Sequence, residues 1–187
     1  MKIKSLASIP AAIAIALGAT ASFGQPAAAQ SDTSFYCGTV DGKPTTLART
    51  SRGNIPMIHW ETEYFSGSGW TPQKRCEEVS RRFQEFNEKG WLAYLTTGEL
   101  NGYNVICVTE EPGEHSDRYQ LGEAGMLMTL RNEEDNPSKV LRELMEVRDG
   151  ARNSPLLHSN AVLEYDSQGR LYVDLEEFLF RAATVQD

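Results

Sequence analysis

Long apolar runs are scarce in this sequence. Ile9–Leu17 is the only such stretch near the start, and it spans nine residues, about half of the 20 that a helix needs to cross a bilayer. No later segment approaches that length. The chain is therefore expected to be soluble or at most peripheral to a membrane, with no transmembrane span after processing. Histidine and cysteine are also sparse, three of each. His59, His115, His158, Cys37, Cys76 and Cys107 show no zinc-like spacing. The acids of "GEHSD" and "NEEDN" do not follow the calcium-loop pattern. No metal and no other cofactor is expected.

Signatures of catalysis are missing as well. There is no G-x-S-x-G, no H-E-x-x-H and no S-x-x-K. "GTVDGKP" has too few residues between its glycines for a phosphate loop, and Pro44 where Ser or Thr would hold magnesium, so it reads as a turn. Basic residues number 18 against 26 acids, a net charge of −8. That balance argues against general nucleic-acid binding, which depends on neutralising phosphates.

The start of the chain carries a recognisable plan. Lys2 and Lys4 precede the short apolar run, and two small-residue sites follow, Ala19-Thr20-Ala21 and Ala27-Ala28-Ala29. This is the layout of a secretory signal peptide. No twin arginine precedes it, so export is expected to thread the chain unfolded. Periplasm, thylakoid lumen or extracellular space are the expected destinations. Residues 1–29 are assigned to the signal, 30–152 to one α+β domain, and 153–187 to a C-terminal hairpin and short helix.

Turn signals organise the domain. Asp41-Gly42 and Asn101-Gly102 each divide two β-prone runs, the strongest short hairpin signal. The second predicts Leu100 opposite Tyr103, Thr97 opposite Ile106 and Leu95 opposite Val108. "NIPMIHW" reads as an edge strand because of Pro56, with Ile55, Met57 and His59 on one face and Ile58 and Trp60 on the other. Thr71 caps a helix that opens on Pro72 and runs to Gly90. Cys76, Val79, Phe83 and Phe86 form its apolar stripe. "MLMTLR" is a strand. Asn136-Pro137 begins a second helix that buries Val140, Leu141, Leu144 and Met145 and ends at Gly150. A hairpin turning near Gly169 follows, then a short helix capped by Asp174 with Glu177 at capping-box spacing. Strands and helices mix without strict alternation, so the expected fold is α+β: a mostly antiparallel sheet packed by two main helices.

Two features invite chemistry. Cys76 lies in the first turns of a helix, but on its apolar stripe, so packing or a disulfide is expected and not a nucleophile. Cys37 lies on the first strand and Cys107 on the central hairpin, where strand adjacency would bring their Cβ atoms together. Cys37–Cys107 is thus the expected bridge, with Cys76 buried and free; Cys37–Cys76 stands as the alternative. The loop "ETEYFSGSGW" is flanked by Trp60, Tyr64, Phe65 and Trp70. Those rings form the candidate binding surface, with Arg49, Arg52 and Arg75 as an adjoining anion site.

The runs "TTLARTSRGNIPMIHW", "FSGSGWTPQKRCEEVSRRFQEF" and "LTTGELNGYNVICV", continued by "MLMTL" and "VLRELMEVRDGA", resemble the cyanobacterial circadian oscillating polypeptide domain family across about residues 34–152. The resemblance implies an exported or membrane-associated protein whose abundance follows a daily rhythm. It implies no activity, cofactor or catalytic residue. The family pattern has a fourth cysteine just before "MLMTL", where this chain has "RYQLGEAG", so one thiol is left over. The expected function is that of an exported, non-enzymatic binding domain at an envelope or membrane surface, its partner a protein, a glycan or the membrane itself. A hydrolase or transferase without a known motif is the competing reading.

The signal layout predicts that the exported protein begins at Ser22 or Gln30. Intact-mass measurement of the exported form checks this, and a mass that retains residues 1–20 refutes it.

Overall fold

The computed structural model describes residues 32–112, 125–131, 136–146, 162–167 and 169–185. Residues 1–29, expected to be a signal peptide, lie outside them, as do "GEHSD", "NEED", Gly150, Pro155, His115 and His158.

Backbone conformation sets the first hairpin. Asp41 and Gly42 have φ of 51° and 75°, the positive pair that a two-residue type I′ turn requires. They join β1 (Ser34–Val40) to β2 (Lys43–Thr50). β3 (Gly53–His59) pairs antiparallel with β2 and completes a three-stranded sheet in the order β1-β2-β3. Pro56 sits on this edge strand, as its missing N–H demands. The alternation expected for β3 is broken. Thr46 pairs with Ile58 and Leu47 with Pro56, so Met57 is an inserted bulge residue. Ile55, Met57, Ile58 and Trp60 are consequently all buried.

The helix α1 (Pro72–Glu88) begins where Thr71 Oγ1 accepts from Lys74 N at 3.3 Å. It ends at Gly90, with φ of 71°. There Trp91 N donates to Phe86 O at 2.9 Å and Gly90 N to Asn87 O at 3.0 Å, the paired bonds of a Schellman motif. Phe86 and Trp91 stack beside it, 6.2 Å between centroids. Cys76, Val79, Ser80, Phe83 and Phe86 form the buried side.

β4 (Tyr94–Leu100) and β5 (Tyr103–Thr109) form the second hairpin, with the register read from the sequence: Leu100 with Tyr103, Thr97 with Ile106, Leu95 with Val108. β6 (Met126–Thr129) extends it beyond β5. α2 (Pro137–Glu146) is capped by Asn136 Oδ1, which accepts from Lys139 N at 3.0 Å. It buries Leu141 and Met145, with Val140 and Leu144 partly covered. β7 (Leu163–Tyr165) and β8 (Leu171–Asp174) form the last hairpin. β8 pairs with β4, giving a five-stranded sheet ordered β6-β5-β4-β8-β7. α3 (Leu175–Arg181) follows, with Asp174 Oδ1 accepting from Glu177 N at 2.9 Å. Among the described residues the fold is therefore α+β, with two antiparallel sheets and three helices. One apolar cluster runs through both sheets: Phe35, Ile55 and Met57 from the first, Leu95, Ile106 and Val173 from the second.

The cysteine pairing differs from the favoured expectation. Cys37 is joined to Cys76, 5.5 Å between Cα atoms, and Cys107 is buried as a thiol. Cys37–Cys107 requires adjacent strands, but β1 and β5 belong to different sheets. α1 lies across β1 instead and turns Cys76 toward Cys37. Cys76 thus serves both its stripe and the bridge. Closing a loop of 39 residues restricts the unfolded chain by about 4 kcal/mol if the native state is unstrained.

Arg82 ties α1 to the second sheet: its Nη1 donates to Met126 O at 3.3 Å and Leu127 O at 3.1 Å, and its Nε to Glu78 Oε1 at 2.9 Å. A hydrogen bond from Arg81, opposed by burial and reinforced by Arg82, holds the Glu78 carboxyl below the usual glutamate range. A depressed acid stabilises the fold above its unfolded pKa, and that contribution is lost as pH falls through the folded value.

Two predictions follow from these links. In urea unfolding, Cys37→Ala or Cys76→Ala lowers stability by about 2–4 kcal/mol, whereas Cys107→Ala costs about 1 kcal/mol; equal losses at all three positions refute the assignment. Glu78→Gln destabilises at pH 7, and its deficit against wild type shrinks as pH drops below the usual glutamate range. A deficit that is constant from pH 7 to pH 3 contradicts the role given to Glu78.

Candidate functional site

The loop between β3 and α1 is held by its own backbone. Ser66 N donates to Glu63 O at 2.9 Å, and Trp70 N to Phe65 O at 3.1 Å. Gly69 takes φ of 83°, closing a single 3-10 turn over Ser66–Ser68. Trp60 anchors the loop from below. It is 6% exposed, and its Nε1 donates to Thr46 Oγ1 at 3.0 Å, which also accepts from Ser80 Oγ at 3.0 Å.

Arg75 fastens the loop to the helix. Its guanidinium lies 5.2 Å from the Trp60 centroid and 5.6 Å from that of Phe65, and its Nη2 donates to Thr62 O. Its Nε is buried with no hydrogen-bond partner among the described residues. Burial lowers its pKa, with Glu63 opposing; an arginine remains a cation regardless. Phe65 meets Tyr64 edge to face, 4.9 Å between centroids at 83°.

Two of the expected rings face outward: Tyr64 is 52% exposed and Trp70 40%. Each carries a cation against its face. Lys74 Nζ lies 4.7 Å from the Trp70 centroid, and the Arg131 guanidinium 5.0 Å from that of Tyr64. Exposed cation–aromatic pairs of this kind contribute about 0.5–1 kcal/mol each. Lys74 and Arg131 were not among the expected site residues. Lys74 had a signal, since it stands four residues beyond Trp70 at the helix start. Arg131 follows β6 and reaches the loop only through tertiary structure.

The expected site does not assemble whole. Trp60, Tyr64, Phe65, Trp70 and Arg75 come together, with Trp60 and Arg75 as support. Arg49 and Arg52 lie elsewhere. Trp60 N donates to Pro44 O, so the loop sits at the start of β2, while Arg49 is five residues along it, about 17 Å at strand rise. Arg49 stacks on Tyr36 at 4.7 Å. Arg52, in the β2–β3 turn, donates to Leu179 O at 2.8 Å, to Phe180 O, and to Ala182 O at 3.0 Å. It closes the open carbonyl end of α3 and supplies no anion site beside the rings.

Shallow depressions flank the loop and the helix. One of about 440 Å³ lies between Lys43, Trp60, Glu63 and Pro72. Another of about 580 Å³ runs between β1 and α1. The carboxyls of Glu61, Glu78 and Glu85 are all held low, chiefly by hydrogen bonds from Lys43, Arg81 and Lys89 respectively. Among the described residues no group of His, Cys, Asp and Glu is placed to hold a metal ion, and no helix is long and apolar enough to cross a membrane. His59 Nδ1 shares a hydrogen bond with Thr45 Oγ1 at 2.9 Å.

A family model described as circadian oscillating protein COP23 matches residues 34–180. The match runs past α2 and through β7, β8 and most of α3. No curated protein and no solved structure matches the chain.

Proposed function

Because the chain belongs to the circadian oscillating protein COP23 family, whose description names a rhythm and no reaction, we propose that it acts by binding: an exported, non-enzymatic domain that rests on a membrane or envelope surface through Tyr64 and Trp70. One observation carries this reading. Two exposed rings are presented by one braced loop, each with a cation on its face. Rings with an apolar body and a polar tip settle at the headgroup level of a bilayer, where Lys74 and Arg131 meet phosphate. The net charge of −8 opposes long-range attraction to an anionic surface, so the contact is local and short-ranged. Export accords with the signal-like start and with a disulfide, which persists in oxidising compartments.

Co-sedimentation of the protein with vesicles mixing phosphatidylcholine and phosphatidylglycerol tests the proposal. Wild type pellets with the vesicles. Tyr64→Ala and Trp70→Ala each weaken binding by about five- to thirty-fold, equivalent to roughly 1–2 kcal/mol of lost apolar contact per ring. Both rings are exposed, so neither change disturbs the core. Binding that is equal in wild type and the double variant, or a wild type that stays in solution, overturns the reading.

A further inference from the structure

The outer edge of β1 is arranged to accept another strand. The two-residue turn at Asp41-Gly42 makes Val40 and Lys43 a hydrogen-bonded pair. Alternation along the ladder then directs Gly38 and Tyr36 toward β2. Phe35, Cys37 and Thr39 point their N–H and C=O groups the other way. One bond reports this directly: Phe35 N donates to Gln84 Oε1 at 2.8 Å. A side-chain carbonyl of α1 occupies the place that a neighbouring strand's carbonyl would take. Among the described residues no strand pairs with this edge.

α1 forms the opposite wall. Cys76 meets Cys37, Phe83 stacks on Phe35 at 5.2 Å, and Asn87 Nδ2 donates to Thr33 O at 2.9 Å. Helix and strand therefore run antiparallel, side by side. Between them lies the groove of about 580 Å³. Its helical rim, from Glu77 to Glu88, is about 16 Å long at helix rise, the length of about five extended residues. Glu77, Glu85 and Glu88 line it with Arg81. Arg81 pairs with Glu78 and Glu85, and Glu85 also pairs with Lys89, while Glu77 and Glu88 have no ion pair among the described residues.

We propose that this groove binds an extended, basic peptide segment of a partner protein by strand addition to β1, with Gln84 displaced from Phe35 N. The backbone edge supplies affinity and the acidic rim selects lysine or arginine at alternate positions. A second copy of this chain is the poorer occupant. β1 carries no basic residue, and edge-to-edge pairing would bring two acidic rims together.

The probe is a five-residue peptide alternating lysine and valine, titrated into the isotopically labelled protein and followed by amide chemical shifts. Binding shifts the Phe35, Cys37 and Thr39 amides and the Gln84 side chain. An otherwise identical peptide with N-methylated backbone amides binds at least tenfold more weakly, as does a glutamate–valine peptide. Glu85→Lys and Thr39→Pro each weaken the lysine peptide at least tenfold; Thr39 N–H points away from β2, so its loss spares the sheet. Shifts that map elsewhere, equal binding of the N-methylated peptide, or equal binding of the acidic peptide overturn the proposal. So does a wild-type dimer in sedimentation that Thr39→Pro dissociates, because the edge would then belong to a second copy.

Discussion

Two sheets here draw on the same helix for cover. α1 has one apolar stripe, and it stacks Phe83 on Phe35 of the first sheet while Arg82 reaches Met126 and Leu127 of the second. A three-stranded antiparallel sheet needs packing on one face to be stable. Without α1, Phe35 would lose the ring stacked on it and Trp60 the guanidinium over its face. The chain invests accordingly in this element. Thr71 and Pro72 begin it, the Gly90 motif ends it, and the Cys37–Cys76 bridge fixes it to β1. Each device removes freedom at a different point along its length, so the stripe can bury in only one register.

A second closure works through the C-terminal elements. β8 enters the larger sheet between β4 and β7, and Leu175 N donates to Ala93 O at 3.0 Å. The helix that follows exposes carbonyls at its C-terminus, and Arg52 binds three acceptors there. Val185 N then donates to Asn54 O at 2.8 Å on the free edge of β3. The turn of the first sheet is thereby locked to the segment that leaves the second. The hairpin and helix after residue 162, read from sequence as an extension, are wound into the same core through Val173, Leu175 and Phe178. The family match to residue 180 covers the same stretch.

Local chemistry made most elements legible in the sequence. The φ > 0 turns at Asp41-Gly42 and Asn101-Gly102 fix register by themselves, and the caps at Thr71, Asn136 and Asp174 depend only on neighbours along the chain. What escaped was non-local. Met57 is an extra residue where β3 pairs with β2, which no alternation rule contains. The division into two sheets was not visible, since a strand's partner across the core leaves no trace in its own pattern. The cysteine pairing rested on that missing step: with one sheet, Cys37 and Cys107 could be neighbours; with two, their strands lie in separate sheets and Cys37 meets Cys76 instead. Arg49 and Arg52 lie away from the loop for the same reason. Their sequence proximity to Trp60 becomes distance once β2 and β3 run antiparallel.

The flanks of α1 bear on how such a domain meets other molecules. An open strand edge invites indiscriminate pairing, and natural sheets defend theirs with charge, bulges or cover. β3 is bulged and partly bridged by Val185. β1 is treated differently: its bulk is neutral, one N–H is covered by a glutamine, and the defending charge is on the helix opposite. Glutamates across a groove repel another copy of the same acidic rim, yet they attract a basic chain. That defence discriminates by charge and leaves the backbone groups of Cys37 and Thr39 directed outward. The aromatic loop shows a parallel division of labour. Trp60 and Arg75 are committed to holding it, and Tyr64 and Trp70 are thereby presented on a support that does not have to be ordered on contact. Rigid support lowers the entropic cost of binding. For both proposed faces a supporting residue comes from α1, Arg75 under the loop and Gln84 beside β1, so the helix that joins the sheets also shapes these two surfaces.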